Sequence, residues 1–182
     1  AGWVRNHRGG TVEAELHGAD ADVQAVLDLL RPLEGRTACV THGGYLRMLM
    51  ATAYAKWTGK LGVCLATSGP GGTNLLTGLY DAKLDQVPVL AITGMQYHDL
   101  VETFTQQDVD LTRVFEDVSV YNTVVSDAAH MENVASLACR TALARRGVAH
   151  LSVANDTQEK PAEEEGRSRR NLPRHVPNEW FS

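Results

Sequence analysis

Four short apolar runs constrain this chain more than anything else in it. "LGVCLA" at 61–66 and "VPVLAIT" at 87–93 have the length and composition of buried strands, and "VSVYNTVV" at 118–125 and "VAHLSVA" at 148–154 also read as strands. Pro88 fits at a strand start, where no ladder N–H is lost. Helical patterns separate the runs. Leu75, Leu76, Leu79 and Tyr80 mark one helix face, and Met131, Val134, Leu137, Ala138, Thr141 and Ala142 mark another. The second of these helices should end at Arg145-Arg146-Gly147, with basic residues in its last turn and a glycine cap. From Tyr45 to Trp57, Leu46, Leu49, Met50, Ala53 and Trp57 recur at three- and four-residue steps, which predicts a largely buried helix stopped by Thr58-Gly59. Strands alternating with helices predict an α/β fold, a doubly wound parallel sheet with helices on both faces. Ligands of such sheets sit at the C-terminal strand ends. The polar stretch from Gly94 to Asp110 is too long for a mere turn and is expected to be a functional loop.

The front of the chain breaks this rhythm. "GWVRNHRGGTVEAELHG" at 2–18 is patterned as a hairpin around a His-Arg-Gly-Gly turn, and 19–33 as an amphipathic helix with Val23, Val26, Leu27 and Leu30 on one face. The expected organisation is a hairpin-plus-helix appendage over 1–36, the α/β domain over 37–156, and a charged linker or tail over 157–182.

A hydrophobic fraction of 43% is ample for a core, and no apolar run nears the roughly 20 residues that span a bilayer. The net charge is −5, and the cluster Arg167, Arg169 and Arg170 is offset by Glu163, Glu164 and Glu165, so neither nucleic acid nor a membrane is an expected partner. Cys39, Cys64 and Cys139 are far apart without a C-x-x-C pair. They read as buried thiols of a reducing, cytoplasmic compartment, and no metal site is expected. The first ten residues lack the apolar core of a signal peptide, and they lack an initiator methionine, so this start need not be the natural one.

"ATSGPGGTNLLTGLYDA" at 66–82 puts a glycine loop between a strand and a helix, a common way to hold a phosphate. A Walker-type loop needs a lysine that is missing here. The dinucleotide fingerprint needs a third glycine where Asn74 stands, and an acid about 20 residues on that is absent. On the residues alone, the loop is otherwise a tight strand-to-helix turn with Asn74 near the helix start.

Together with its flanks, the loop is more specific. G-P-G-x-T-N followed by G-L-x-D-A and "VPVLAITG" over 53–94, then "TQQDVD" at 105–110 and "GVAHLSVANDTQ" at 147–158, resembles the pyrimidine-binding (Pyr) domain of thiamine-diphosphate-dependent enzymes of the acetolactate synthase and pyruvate oxidase group. The resemblance runs over about 40–178. It implies thiamine diphosphate as cofactor and a 2-oxo acid as substrate. It also implies a homo-oligomer in which a diphosphate-binding domain absent from this chain holds Mg²⁺ and the phosphates. The loop residues Gly69, Pro70, Gly71 and Asn74 would meet the aminopyrimidine, and Gln106 would face the reacting end.

The family's chemistry uses a glutamate in a His-Glu pair before "AYA", which promotes the imino form of the pyrimidine so that the cofactor's own amino group can take the thiazolium proton. Here His42 matches the histidine, but Gly43 and Gly44 follow, and no Asp or Glu lies between Glu34 and Asp81. General acid–base groups typically contribute about 10² to 10⁴ in rate, so this chain is not expected to activate the cofactor in the usual way. Three accounts stay open: an enzyme whose sequence is damaged near 36–52, a family member that manages without the acid, and a non-catalytic regulatory or scaffolding domain.

Residues 2–33 resemble the second half of acylphosphatase, with Asn6 matching the asparagine that orients the attacking water. The phosphate-binding arginine of that family would precede Asn6, before the chain begins. Without that cation hydrolysis is not expected.

Overall fold

The computed structural model describes residues 4–6, 12–14, 37–42 and 45–160. Strands β1 (Val4–Asn6) and β2 (Val12–Ala14) pair antiparallel, Val4 opposite Ala14 and Asn6 opposite Val12, which is the hairpin expected from the sequence. The helix expected at 19–33, Gly43, Gly44 and residues 161–182 lie outside the described residues.

Strands β3 (Thr37–His42), β4 (Leu61–Ala66), β5 (Val89–Met95), β6 (Ser119–Val125) and β7 (Val148–Ala154) form one sheet in the order β3-β4-β5-β7-β6. Every pairing in it is parallel. Its helices are α1 (Tyr45–Thr58), α2 (Pro70–Thr73), α3 (Leu76–Leu84), α4 (Leu111–Val114), α5 (Ala128–Arg145) and α6 (Asn155–Gln158). Four of the strands are the four apolar runs. The fifth, β3, carries a polar residue at Thr37, Thr41 and His42, and as an edge strand it needs no continuous apolar signature.

Side chains alternate across the strands, so the sheet makes two cores. On one face Leu61, Val63, Leu65, Leu90, Ile92 and Leu151 pack against Val134, Ala135, Ala138 and Ala142 of α5. On the other, Cys64, Val89, Ala91 and Val148 pack against α1, α3 and Phe115, the residue after α4. The doubly wound α/β expectation is met. Cys64 and Cys139 are buried and neither is in a disulfide; burial pushes the Cys139 thiol up to about 12, which keeps it protonated.

Two local expectations need correction. The buried stripe of α1 is Met48, Ala51, Thr52 and Ala55, whereas Met50 is 40% and Trp57 92% exposed. The cause is close approach: a Cβ placed on Gly62 of β4 would lie 2.2 Å from the Ala51 carbonyl oxygen, so the helix meets the strand at Ala51 and this sets which of its faces turns inward. At the end of α5, the left-handed residue is Arg146 (φ 49°), not Gly147. Gly147 is needed for space, since a Cβ there would come 2.8 Å from Val120 Cγ1.

Candidate functional site

The segment after β4 turns sharply at Gly69, whose φ of 59° and ψ of −117° suit glycine alone. The position is also crowded. A Cβ there would lie 2.9 Å from the Cα, Cβ and carbonyl oxygen of Gln107, so the glycine loop is closed from outside by the segment that follows β5. The Ser68 hydroxyl donates to Gln107 Oε1 at 3.1 Å. Gly94, at the end of β5, sits where a Cβ would be 3.1 Å from the Ser68 nitrogen. Three segments at the C-terminal edge of the sheet thus meet: the glycine loop, the end of β5 and residues around Gln107.

An accounting of the loop's N–H groups decides what it can bind. Pro70 has none. Gly71 donates to the Ser68 carbonyl at 3.4 Å, Thr73 to Gly69 at 3.1 Å, Asn74 to Pro70 at 3.1 Å and Leu75 to Gly72 at 3.0 Å. Those four are not available to a phosphate, and no cationic side chain stands on the loop. What the loop presents outward is Pro70, Thr73 and Asn74, all exposed. Pro70 and Asn74 are linked by the backbone hydrogen bond of one helical turn, and the Asn74 side chain makes no hydrogen bond with any described residue. The loop thus offers a rigid apolar ring beside an unspent amide. Asn74 closes the four-residue turn α2 and directly precedes Leu75, the N-cap of α3, so it stands near a helix start as expected.

The long polar loop wraps this edge. Gln96 Nε2 donates to the Gln106 carbonyl. His98 bonds Asp156 twice, through its backbone N–H at 3.1 Å and through Nδ1 at 2.6 Å, which ties the loop to the end of β7. Phe104 N–H donates to Asp108 at 3.1 Å. Thr105 Oγ1 is buried without a partner among the described residues. Asp110 caps α4 through the Arg113 N–H at 3.1 Å; the Thr112 hydroxyl, the larger cause, and that N–H hold its carboxyl below the ordinary value. Both adjacent glutamines are exposed, and it is Gln107 whose side chain reaches the glycine loop.

Beneath the edge runs a buried polar chain. Asn122 Nδ2 donates to the Thr112 carbonyl at 2.6 Å, so Asn122 Oδ1 faces His150 Nδ1 at 2.7 Å. That assigns the ring proton to Nδ1 and leaves Nε2 to accept from the Thr93 hydroxyl at 2.8 Å. Phe115 stacks on the imidazole, with centroids 4.1 Å apart. Burial pushes His150 down to about 3, so it is neutral.

Sequence reasoning singled out Gly69, Pro70, Gly71 and Asn74, and the structure holds them in one loop. It passed over Ser68, Thr93, Asn122 and His150. A signal existed for three of them, each a polar residue inside an apolar strand run, where a buried group must find a partner. His42 ends β3 opposite Leu65, next to the residue from which the glycine loop departs. Asn6 closes β1 opposite Val12.

The model of the thiamine pyrophosphate enzyme N-terminal TPP binding domain matches residues 24–114, half of the chain. Its match opens inside the amphipathic stretch at 19–33. A pyruvate oxidase of Lactiplantibacillus plantarum is 42% identical over 118 residues, 64% of this chain and 20% of the relative. An acetolactate synthase of Mycobacterium bovis is 35% identical over 129 residues, 70% of this chain and 21% of the relative. A second acetolactate synthase, of Mycobacterium leprae, is 48% identical over 75 residues, 41% of this chain and 12% of the relative. The chain therefore spans about a fifth or less of the length of these relatives. No helix among the described residues is long and apolar enough to cross a membrane.

Proposed function

The chain belongs to the thiamine pyrophosphate enzymes, matching their N-terminal TPP binding domain, and from that premise we propose that its glycine loop receives the aminopyrimidine end of thiamine diphosphate. The observation that carries this reading is the state of the loop: the N–H groups of Gly71, Thr73, Asn74 and Leu75 are spent internally while Pro70 and Asn74 face outward. Pro70 supplies a flat contact for the ring, and the Asn74 amide supplies a donor and an acceptor for its polar edge. Gly69 and Gly71 shape the turn. Gln107, fixed by Ser68, stands at the side of the pocket, and Gln106 faces the reacting end. When bound, the cofactor supplies the electron sink for cleaving a bond next to the carbonyl of a 2-oxo acid.

The diphosphate and Mg²⁺ are held by a second domain or subunit, in a cytoplasmic oligomer of the acetolactate synthase or pyruvate oxidase type. Support comes from Leu100, Val101 and Phe104, exposed by 37%, 37% and 98% on the loop beside the site, the kind of surface a covering domain would bury.

A second reading is a non-catalytic Pyr domain. It is favoured by one observation, the lack of any carboxylate between Glu34 and Asp81, where Gly43 and Gly44 follow His42. Supplying a diphosphate-binding domain and introducing Gly43→Glu or Gly44→Glu separates the two. Appearance of decarboxylation identifies an enzyme lacking only its acid, and its absence supports the scaffold.

The pocket itself is tested by titrating the isotope-labelled chain with thiamine and following backbone resonances. Shifts are expected at Gly69, Gly71, Asn74 and Gln107. Unmoved resonances there at saturating thiamine, or shifts at the opposite end of the sheet, would refute the proposal.

A further inference from the structure

We infer that His150, with Thr93 and Asn122, is a positioning residue that holds the two walls of the site at a fixed separation; this rests on the reading of the glycine loop as one wall of the pyrimidine pocket. The walls belong to distant parts of the chain. One is the loop from Thr67 to Asn74, and the other is the segment from Thr105 through α4 that carries Gln107. Their direct polar tie is one hydrogen bond, Ser68 to Gln107 at 3.1 Å, beside two packing contacts, the bare backbone of Gly69 against Gln107 and Gly72 against Leu111. A tie this light fixes a separation only if both walls are anchored behind it.

The buried chain anchors both. Thr93 immediately precedes Gly94, whose missing side chain lets the end of β5 press against the Ser68 backbone. At the other end, Asn122 binds the Thr112 carbonyl in the middle of α4. The neighbouring Leu111 presses on the glycine loop: a Cβ on Gly72 would fall 2.5 Å from Leu111 Cδ1. Between these ends lies His150, completely buried, bonded at both ring nitrogens and capped by the Phe115 ring. Ser68, Gln107, Leu111, Thr112, Asn122, His150, Thr93 and Gly94 therefore form a closed circuit around the floor of the site.

Apolar residues would fill the core position of His150 with less desolvation cost. A histidine there joins three strands and α4 through directional bonds, which dispersion contacts cannot supply. Removing it leaves the Thr93 hydroxyl and the Asn122 side-chain oxygen without partners, and takes away the group that orients the Asn122 amide toward the Thr112 carbonyl of α4.

The test is hydrogen–deuterium exchange on the full chain, comparing His150→Leu, Thr93→Val and Thr93→Ser with the parent. Thr93→Val keeps the shape and removes only the hydroxyl, so it reports even if His150→Leu fails to fold. Exchange in 67–75 and 105–113 should rise by roughly tenfold or more in His150→Leu and Thr93→Val, relative to β4 and α5 in the same molecules. Thr93→Ser, which retains the hydroxyl, should match the parent. Unchanged exchange in those two segments, or an equal rise through the whole sheet, would overturn the inference. Thiamine is added in a parallel arm. If the variants loosen only the two walls while thiamine protects nothing in the parent, the positioning role stands and the pyrimidine reading falls.

Discussion

His150 ties the chemistry of one residue to the stability of the fold. Its imidazole is held down to about 3 by burial, against an ordinary value of 6.5. The folded value is the lower one, so the unfolded chain binds the proton first. The stabilising contribution is complete above about pH 6.5 and is lost as pH falls from there towards 3. Urea unfolding should show stability falling below about pH 6.5, approaching about 1.4 kcal/mol per pH unit from this residue alone. His150→Leu should flatten that dependence even if it lowers stability at neutral pH; an unaltered slope would mean that other groups carry it. At Gly69, alanine would have to adopt a glycine-only backbone and displace Gln107. Gly69→Ala should cost about 1–3 kcal/mol in urea unfolding, and a neutral result would mean that the loop is more pliant than drawn here.

At the scale of elements, α5 carries a well-made start and a strained stop. The Asp127 side chain accepts the Ala129 N–H at 3.3 Å, and Arg146 sits in the left-handed region at φ 49°. Asp127→Ala should lower stability by about 1 kcal/mol. Arg146→Gly should raise it by a similar amount, about 1 kcal/mol, because glycine takes that conformation without a Cβ clash. Thermal melts of the two variants check both signs. The stop was half legible in the sequence: Arg-Arg-Gly announced a C-terminus, but which residue turns left depends on how closely Val120 approaches Gly147, a contact between distant parts of the chain. The same limit explains α1. Periodicity announced a helix, and the choice of its inward face was made by the Gly62 backbone. β4, β5 and β7 were readable because burial on both faces writes itself into composition; β6, at one edge and mostly half-buried, showed through its β-branched residues, while β3, at the other edge, did not. For the site, the glycine loop stood out by spacing. Its partner Gln107 did not, since nothing local says which of two adjacent glutamines folds back onto a serine 39 positions away.

In the whole molecule, the glycine loop and the segment carrying Gln106 and Gln107 follow the C-terminal ends of β4 and β5, the edge at which ligands of parallel α/β sheets bind. The opposite end carries Lys83 and Arg145 among backbone carbonyls that they already satisfy. The proposed function has this domain grip the aminopyrimidine end of the cofactor and leave the charged end to another domain, so the central claim concerns which end is gripped. The direct measurement is calorimetric titration of the chain with thiamine and, separately, with thiamine diphosphate and Mg²⁺. The account predicts weak binding of both, with affinities within a few-fold of each other and both reduced by Asn74→Ala. Micromolar binding of thiamine diphosphate with little or no binding of thiamine would show a loop built for phosphate and would contradict the account.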